Sequence, residues 1–219
     1  VAELRTEEEQ VEAIKSWWKE NGRSLLIGIV VAVAAVVGWK GWQQKVETES
    51  ANASIRYQNL VESMLALQAS PDAEDQRATA QHLADTIREE HGDTGYASMA
   101  ALLVARAAVD AGELEQALQE LDWVVENGSS EELKQLALLR SARIQLARGE
   151  QQQAESLLAK TTDSYFPSLV NELKGDLFVA KGYKAQAHEA YVRALETASQ
   201  QGRPILEMKR DNVVPGASS

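Results

Sequence analysis

Gly112-Glu-Leu-Glu-Gln-Ala117 returns in the same outline as Gly149-Glu-Gln-Gln-Gln-Ala154 and Gly182-Tyr-Lys-Ala-Gln-Ala187. The three glycines are spaced 37 and 33 residues apart. Helix–turn–helix repeats with a period of ~34 residues have this rhythm. The glycine supplies a left-handed backbone at the turn. The alanine five residues on lets two helices approach closely. A larger side chain four residues further, Leu121, Leu158 or Tyr191, fills the space between units. Ala105, Ala142 and Gly175 take the matching small position on the first helix of each unit.

The segments around these turns agree. Asn127-Gly128 ends one unit, and Ser129 with Glu132 is the expected capping box of the next. Pro167 falls where a first helical turn begins. Gln145 stands where a bulky apolar residue is expected and weakens the middle unit. Upstream, Tyr57, Leu60, Val61, Met64 and Leu65 form a helical stripe, and Ala80, Leu83, Ala84 and Ile87 form another. Pro71-Asp72 separates the two, and His91-Gly92-Asp93-Thr94-Gly95 ends the second. No window shows strict apolar/polar alternation, and the chain has only 4 prolines. The expected fold class is all-α: an α-solenoid of helical hairpins of tetratricopeptide-like length.

One stretch lies outside that pattern. Ser24-Leu-Leu-Ile-Gly-Ile-Val-Val-Ala-Val-Ala-Ala-Val-Val-Gly-Trp39 carries no charge. Its sixteen residues cover ~24 Å as a helix, and extension to Trp42 gives ~28 Å, close to a ~30 Å hydrocarbon core. Lys40 can snorkel its amine toward the headgroups. Trp17 and Trp18 precede the run, and Trp39 and Trp42 close it, as in an interfacial aromatic belt. A cleaved signal peptide would start basic and end in small residues. This segment starts with Glu3, Glu7, Glu8 and Glu9 and ends in bulky tryptophans. A buried core helix of the same length would rarely have tryptophan at both ends. The run is therefore expected to be a single transmembrane helix. Lys15, Lys19 and Arg23 before it, against Lys40 and Lys45 after it, lean toward a cytoplasmic N-terminus. Gly28/Ala32 and Ala34/Gly38 are small-xxx-small pairs suited to close helix packing in lipid.

Two flanking segments stay open at this point. Thr6 with Glu9 makes a capping box, and Val11, Ile14 and Trp18 share a face. That describes a short helix over residues 1–22, either solvated or lying on the bilayer. Gln43 to Ser50 is polar throughout and serves equally as a stalk or a hinge.

Residues 1–45 carry six basic and six acidic side chains, so the formal charge of −11 sits wholly on residues 46–219. That balance excludes nucleic-acid binding and tight docking on anionic lipid, both of which need basic patches. There is no cysteine and hence no disulfide. His82, His91 and His188 have no metal-ligand spacing. No phosphate loop, nucleophile elbow or paired acid and base stands out. The chain is read as a non-enzyme with no cofactor. Asn127-Gly128-Ser129 matches a glycosylation sequon but fits a helix-joining turn better.

A stack of hairpins makes a concave groove lined by the first helices of successive units. In the register above, Arg106 and Arg143 are equivalent, with Leu102 and Leu139 one turn before them. Two arginines on one wall suit a peptide carboxylate. The simpler outcome is intramolecular pairing, Arg106 with Asp110 at i+4 and Arg143 with nearby glutamates.

Several stretches together carry a family resemblance. They are Gln10-Val11-Glu12-Ala13, Trp17-Trp18, Glu20-Asn21-Gly22, Gly38-Trp39 with Trp42, the Ala51-to-Leu60 segment with Tyr57-Gln58-Asn59, and Gly175-Asp176 through Lys181-Gly182 to Ala187. With them the chain resembles the YfgM family of ancillary SecYEG translocon subunits over nearly its whole length. The tail from Asn212 to Ser219 departs from the family pattern. The resemblance implies a single-pass inner-membrane protein with a periplasmic tetratricopeptide-like domain. It implies association with the SecYEG translocon and with PpiD, a membrane-anchored periplasmic chaperone, and contact with newly exported chains. The expected organisation is a cytoplasmic juxtamembrane segment (1–22), a transmembrane helix (23–42), a stalk (43–50), the periplasmic domain (51–210) and a flexible tail (211–219). The alternative is a membrane-anchored repeat scaffold for another envelope complex.

Overall fold

Helix α1 runs Glu7–Ala69 and is followed by α2 (Glu74–His91), α3 (Gly95–Asp110), α4 (Leu114–Asn127) and α5 (Glu131–Ala147). Then come α6 (Gln151–Ala159), α7 (Pro167–Ala180), α8 (Lys184–Glu196) and α9 (Arg203–Asp211). The computed structural model describes residues 7–69 and 74–214, and among them there is no strand. Thr6, Pro71-Asp72 and the tail beyond Val214 lie outside the described residues. The chain divides into two compact units, residues 1–49 and 50–219.

In the first unit the expected short helix over 1–22 is not a separate element. The helix passes Asn21-Gly22 without a break. Asn21 donates its side-chain amide to the Trp17 carbonyl at 3.1 Å. The Trp18 indole lies so close over Gly22 that a Cβ there would sit 3.1 Å from a ring carbon. Residues 43–50 are helical too, with i,i+4 contacts from Gln43 to Glu47 (3.2 Å), Thr48 to the Gln44 carbonyl (2.9 Å) and Lys45 to Glu49 (3.6 Å). The two side-chain pairs among these support a solvated helix by a few tenths of a kcal/mol each.

The second unit is built by serial packing. Leu60 and Met64 of α1 meet Ala80, Ala84 and Ile87 of α2 and Ala97, Ala100 and Val104 of α3. Leu65, expected in the same stripe, is exposed, so the buried face is narrower. Next along the stack, Ala101, Ala105 and Ala108 of α3 pack on Ala117, Leu121 and Val124 of α4. Leu139 and Ala142 of α5, Ala154 and Leu158 of α6, and Val170, Leu173 and Leu177 of α7 form a third cluster. Tyr191 and Leu195 of α8 close the stack against Leu206 of α9.

The three repeated glycines form one motif. Gly112, Gly149 and Gly182 have φ of +79°, +83° and +80°, and no other described residue is left-handed. Each donates its amide to the carbonyl three residues back, that of Val109, Leu146 or Val179. The next amide reaches one residue further, to Ala108, Gln145 and Phe178 at 2.8, 2.9 and 2.8 Å. This is the paired closure of a Schellman turn, which satisfies the last carbonyls of a helix. Between α4 and α5 the cap is Ser130, whose hydroxyl accepts from the Leu133 amide at 3.3 Å. The expected Ser129/Glu132 box is displaced because the Ser129 amide is held by the Ser98 hydroxyl of α3 at 3.2 Å.

Candidate functional site

Every residue of the apolar run, 24–39, is exposed. Leu25, Leu26, Ile27, Ile29, Val30 and Val31 are all exposed. In water each such side chain forfeits ~1.5–3 kcal/mol relative to burial. Trp17, Trp18, Trp39 and Trp42 are exposed at its two ends, and Trp39 and Trp42 lie 5.2 Å apart between ring centroids. Gly28 and Gly38 have open space where a Cβ would point, and Ala32 and Ala34 are exposed.

In the repeats, size is matched across the helix pairs. Ala105 and Ala142 face α4 and α6, where the filling residues are leucines. Where the filler is Tyr191, the small residue shrinks to Gly175. A Cβ there would lie 2.4 Å from a ring carbon of Tyr191. The phenol hydroxyl donates to Asp176 at 2.7 Å, and Lys209 of α9 reaches Glu172 (2.7 Å) and Asp176 (2.8 Å). Burial raises the Tyr191 phenol above its ordinary range, assisted by its bond to Asp176 and the nearby carboxylate charges. This network fastens the last helix to α7 and α8.

The expected groove residues separate into two kinds. Leu102 and Leu139 are buried in the cores around α4 and α6 and offer no surface. Arg106 and Arg143 are exposed. Arg106 pairs with Asp110 at 2.9 Å, as its spacing predicts, and Arg143 stands 3.7 Å from Glu172 of α7. Arg140 of α5 joins them. Its guanidinium donates across to the Leu102 carbonyl on α3 at 3.2 Å. The side chain as a whole is exposed, yet part of the guanidinium is desolvated. That burial lowers its pKa, and the positive fields of Arg106 and Arg143 lower it further. The sequence signalled Arg106 and Arg143 through the repeat register. Arg140 has no such signal, because its place depends on a contact 38 residues away.

Two further polar groupings lie inside the stack. Arg88 of α2 is bonded to Glu120 of α4 at 2.7 Å and to Asp85, and stacks over Trp123. Burial keeps Glu120 above the ordinary carboxylate range despite the pull of Arg88 and a bond from Gln81. Between α4, α5 and α6, a cleft of about 390 Å³ is lined by Ser141, Gln145 and Asp122. The Ser141 hydroxyl and the Gln145 side-chain carbonyl are buried without a protein partner. No group of three or more possible metal-ligating side chains occurs among the described residues.

A family model described as a tetratricopeptide repeat-like domain matches residues 15–214. The Ancillary SecYEG translocon subunit of Escherichia coli (strain K12) is 30% identical over 212 residues, covering 94% of this chain and 96% of the relative. The protein of the same name from Haemophilus influenzae is 27% identical over 207 residues, covering 94% and 97%. That from Neisseria gonorrhoeae is 25% identical over 209 residues, covering 94% and 97%. No solved structure matches the chain.

Proposed function

Since the chain belongs to the tetratricopeptide-repeat-like family of ancillary SecYEG translocon subunits, we propose that it is a membrane-anchored adaptor that works beside the translocon. Residues 23–42 cross the inner membrane once, with the N-terminus cytoplasmic and the helical repeats periplasmic. The repeats bind a PpiD-type anchored chaperone and present newly exported chains to it. No step of bond making or breaking is assigned to it. The carrying observation is the contrast between a wholly exposed apolar run and repeats that bury their own core. A helix of that kind needs lipid around it, while the repeats need none.

Tethering supplies the mechanism. A weak binder fixed in the membrane next to its target meets it at high effective concentration, so modest contacts suffice. The anchor's small residues Gly28, Ala32, Ala34 and Gly38 supply a face on which a second membrane helix can pack closely. The test is affinity purification of the full chain in mild detergent with identification of partners. The proposal expects SecYEG and a chaperone of the PpiD type to be recovered. It expects both to be reduced when Gly28 and Gly38 are changed to leucine. Recovery of a different envelope complex alone would point instead to a general scaffold.

A further inference from the structure

Arg140 of α5 reaches the Leu102 carbonyl on α3, one turn before Arg106, and Arg143 follows Arg140 by one turn, so three positive charges gather in a part of the chain that is otherwise strongly acidic. Their carboxylate partners are few. Arg106 has Asp110, a neighbour on its own helix in a pair that is more than half exposed on both sides. Exposed pairs of that kind hold weakly and exchange readily. Arg143 has Glu172 at 3.7 Å, but Glu172 is held more closely by Lys209 at 2.7 Å. Arg140 has no carboxylate within ion-pair distance among the described residues, only the Leu102 carbonyl. Like charges gathered in this way repel one another, and a bound anion removes that repulsion.

A cleft adjoins Arg106. Met64, Leu67, Leu103 and Ala107 give it an apolar wall, and Arg77, Arg106 and Asp110 supply its charged groups. Its volume is about 310 Å³, the low end of the ~300–1,000 Å³ typical of ligand clefts. That size suits one or two side chains. We infer that the cleft and the Arg106–Arg140–Arg143 cluster form one docking site, for a partner peptide segment that carries a carboxylate beside an apolar side chain. Charge complementarity selects the occupant. Arginine forks match carboxylates, and the cleft takes the neighbouring apolar group. A bilayer rich in anionic lipid is disfavoured because residues 46–219 carry the whole formal charge of −11.

This assignment rests on the adaptor reading and names the chemistry of its partner. It is tested on the full chain in detergent by fluorescence anisotropy. The probe is a labelled ten-residue peptide with two adjacent glutamates followed by leucine; the control has lysines in place of the glutamates. The glutamate peptide should bind in a salt-sensitive way and the lysine peptide should not. Arg140→Gln should weaken binding about tenfold, and Arg143→Gln by a smaller factor. Both changes are on exposed side chains, and unchanged thermal melting shows that each variant is folded. Equal binding of the two peptides, or no loss in the folded Arg140→Gln variant, overturns the assignment. So does displacement of the peptide by anionic vesicles but not by neutral ones. The outcome is separable from the adaptor reading. If Arg140→Gln loses the peptide yet still recovers SecYEG, the site holds independently of the anchor. If SecYEG is never recovered while the peptide binds, the adaptor reading fails and the site stands.

Discussion

The apolar run Ser24–Trp39 and helix α3 have the same length, sixteen residues, and both are rich in alanine, valine and leucine. Their surroundings are opposite. The run is exposed along its whole length. Helix α3 buries two faces at once: Ala97, Ala100 and Val104 toward α1 and α2, and Ala101, Ala105 and Ala108 toward α4. Spacing explains the difference. In α3 the small residues recur at three and four positions on each of two stripes, so two helices come close on either side. Its remaining surface carries Arg106 and Asp110 for water. The run has no polar stripe at all, and the tryptophans stand at its end (Trp39) or flank it (Trp17, Trp18 and Trp42). Composition alone makes the two look alike; the placement of polar and aromatic residues decides which one meets protein and which one meets lipid.

The largest effect is expected from breaking the anchor. Val31→Lys places a charge at the middle of the run, at a cost of about 3 kcal/mol for insertion. The variant should appear largely in the soluble or aggregated fraction after cell fractionation, whereas Arg106→Leu on α3 should stay in the membrane fraction. The next effect concerns close packing in the repeats. Gly175→Ala drives a methyl group into the Tyr191 ring and should destabilise the chain by about 2 kcal/mol. Combining it with Tyr191→Leu recreates the alanine–leucine match of the other units. Denaturant unfolding of the two singles and the double should reveal favourable coupling between the sites.

A smaller gain is expected at the weak middle unit. Gln145→Leu replaces a buried, unpartnered carbonyl by an apolar group and should stabilise by about 1 kcal/mol, read as a rise in Tm. The smallest effect is a pH slope. Burial raises the Glu120 carboxyl in the folded chain, so the folded state holds that proton more tightly than the unfolded state does. Its contribution is therefore most favourable below the ordinary carboxylate pKa of about 4.3 and declines as pH rises through the folded value. Glu120→Gln should flatten the fall in Tm over the range just above that pKa. An unchanged slope would remove Glu120 as its source.

The features legible in the sequence were those set by local spacing. The Gly-x4-Ala turns, the small and filling positions held by Gly175 and Tyr191, and the Arg106–Asp110 pair each follow from positions read along one or two helices. Three features were not legible for a common reason. Ser130 caps α5 instead of Ser129 because Ser98, 31 residues earlier, captures the Ser129 amide. Lys209 closes the stack through carboxylates 33 and 37 residues away. Arg140 joins the arginine cluster by reaching a carbonyl on another helix. Leu102 and Leu139, expected to line a groove, face the interior, each buried in a cluster formed with the helix that follows it and the one after that.

The central claim is that one helix spans the bilayer and separates the two ends of the chain. The absence of cysteine permits a direct test. Single variants Ser16→Cys and Gln200→Cys are exposed in intact cells with a permeable outer membrane to a maleimide that cannot cross the inner membrane. Gln200→Cys should be labelled at once, and Ser16→Cys only after the inner membrane is opened. Immediate labelling of both positions, or of Ser16→Cys alone, would contradict the account.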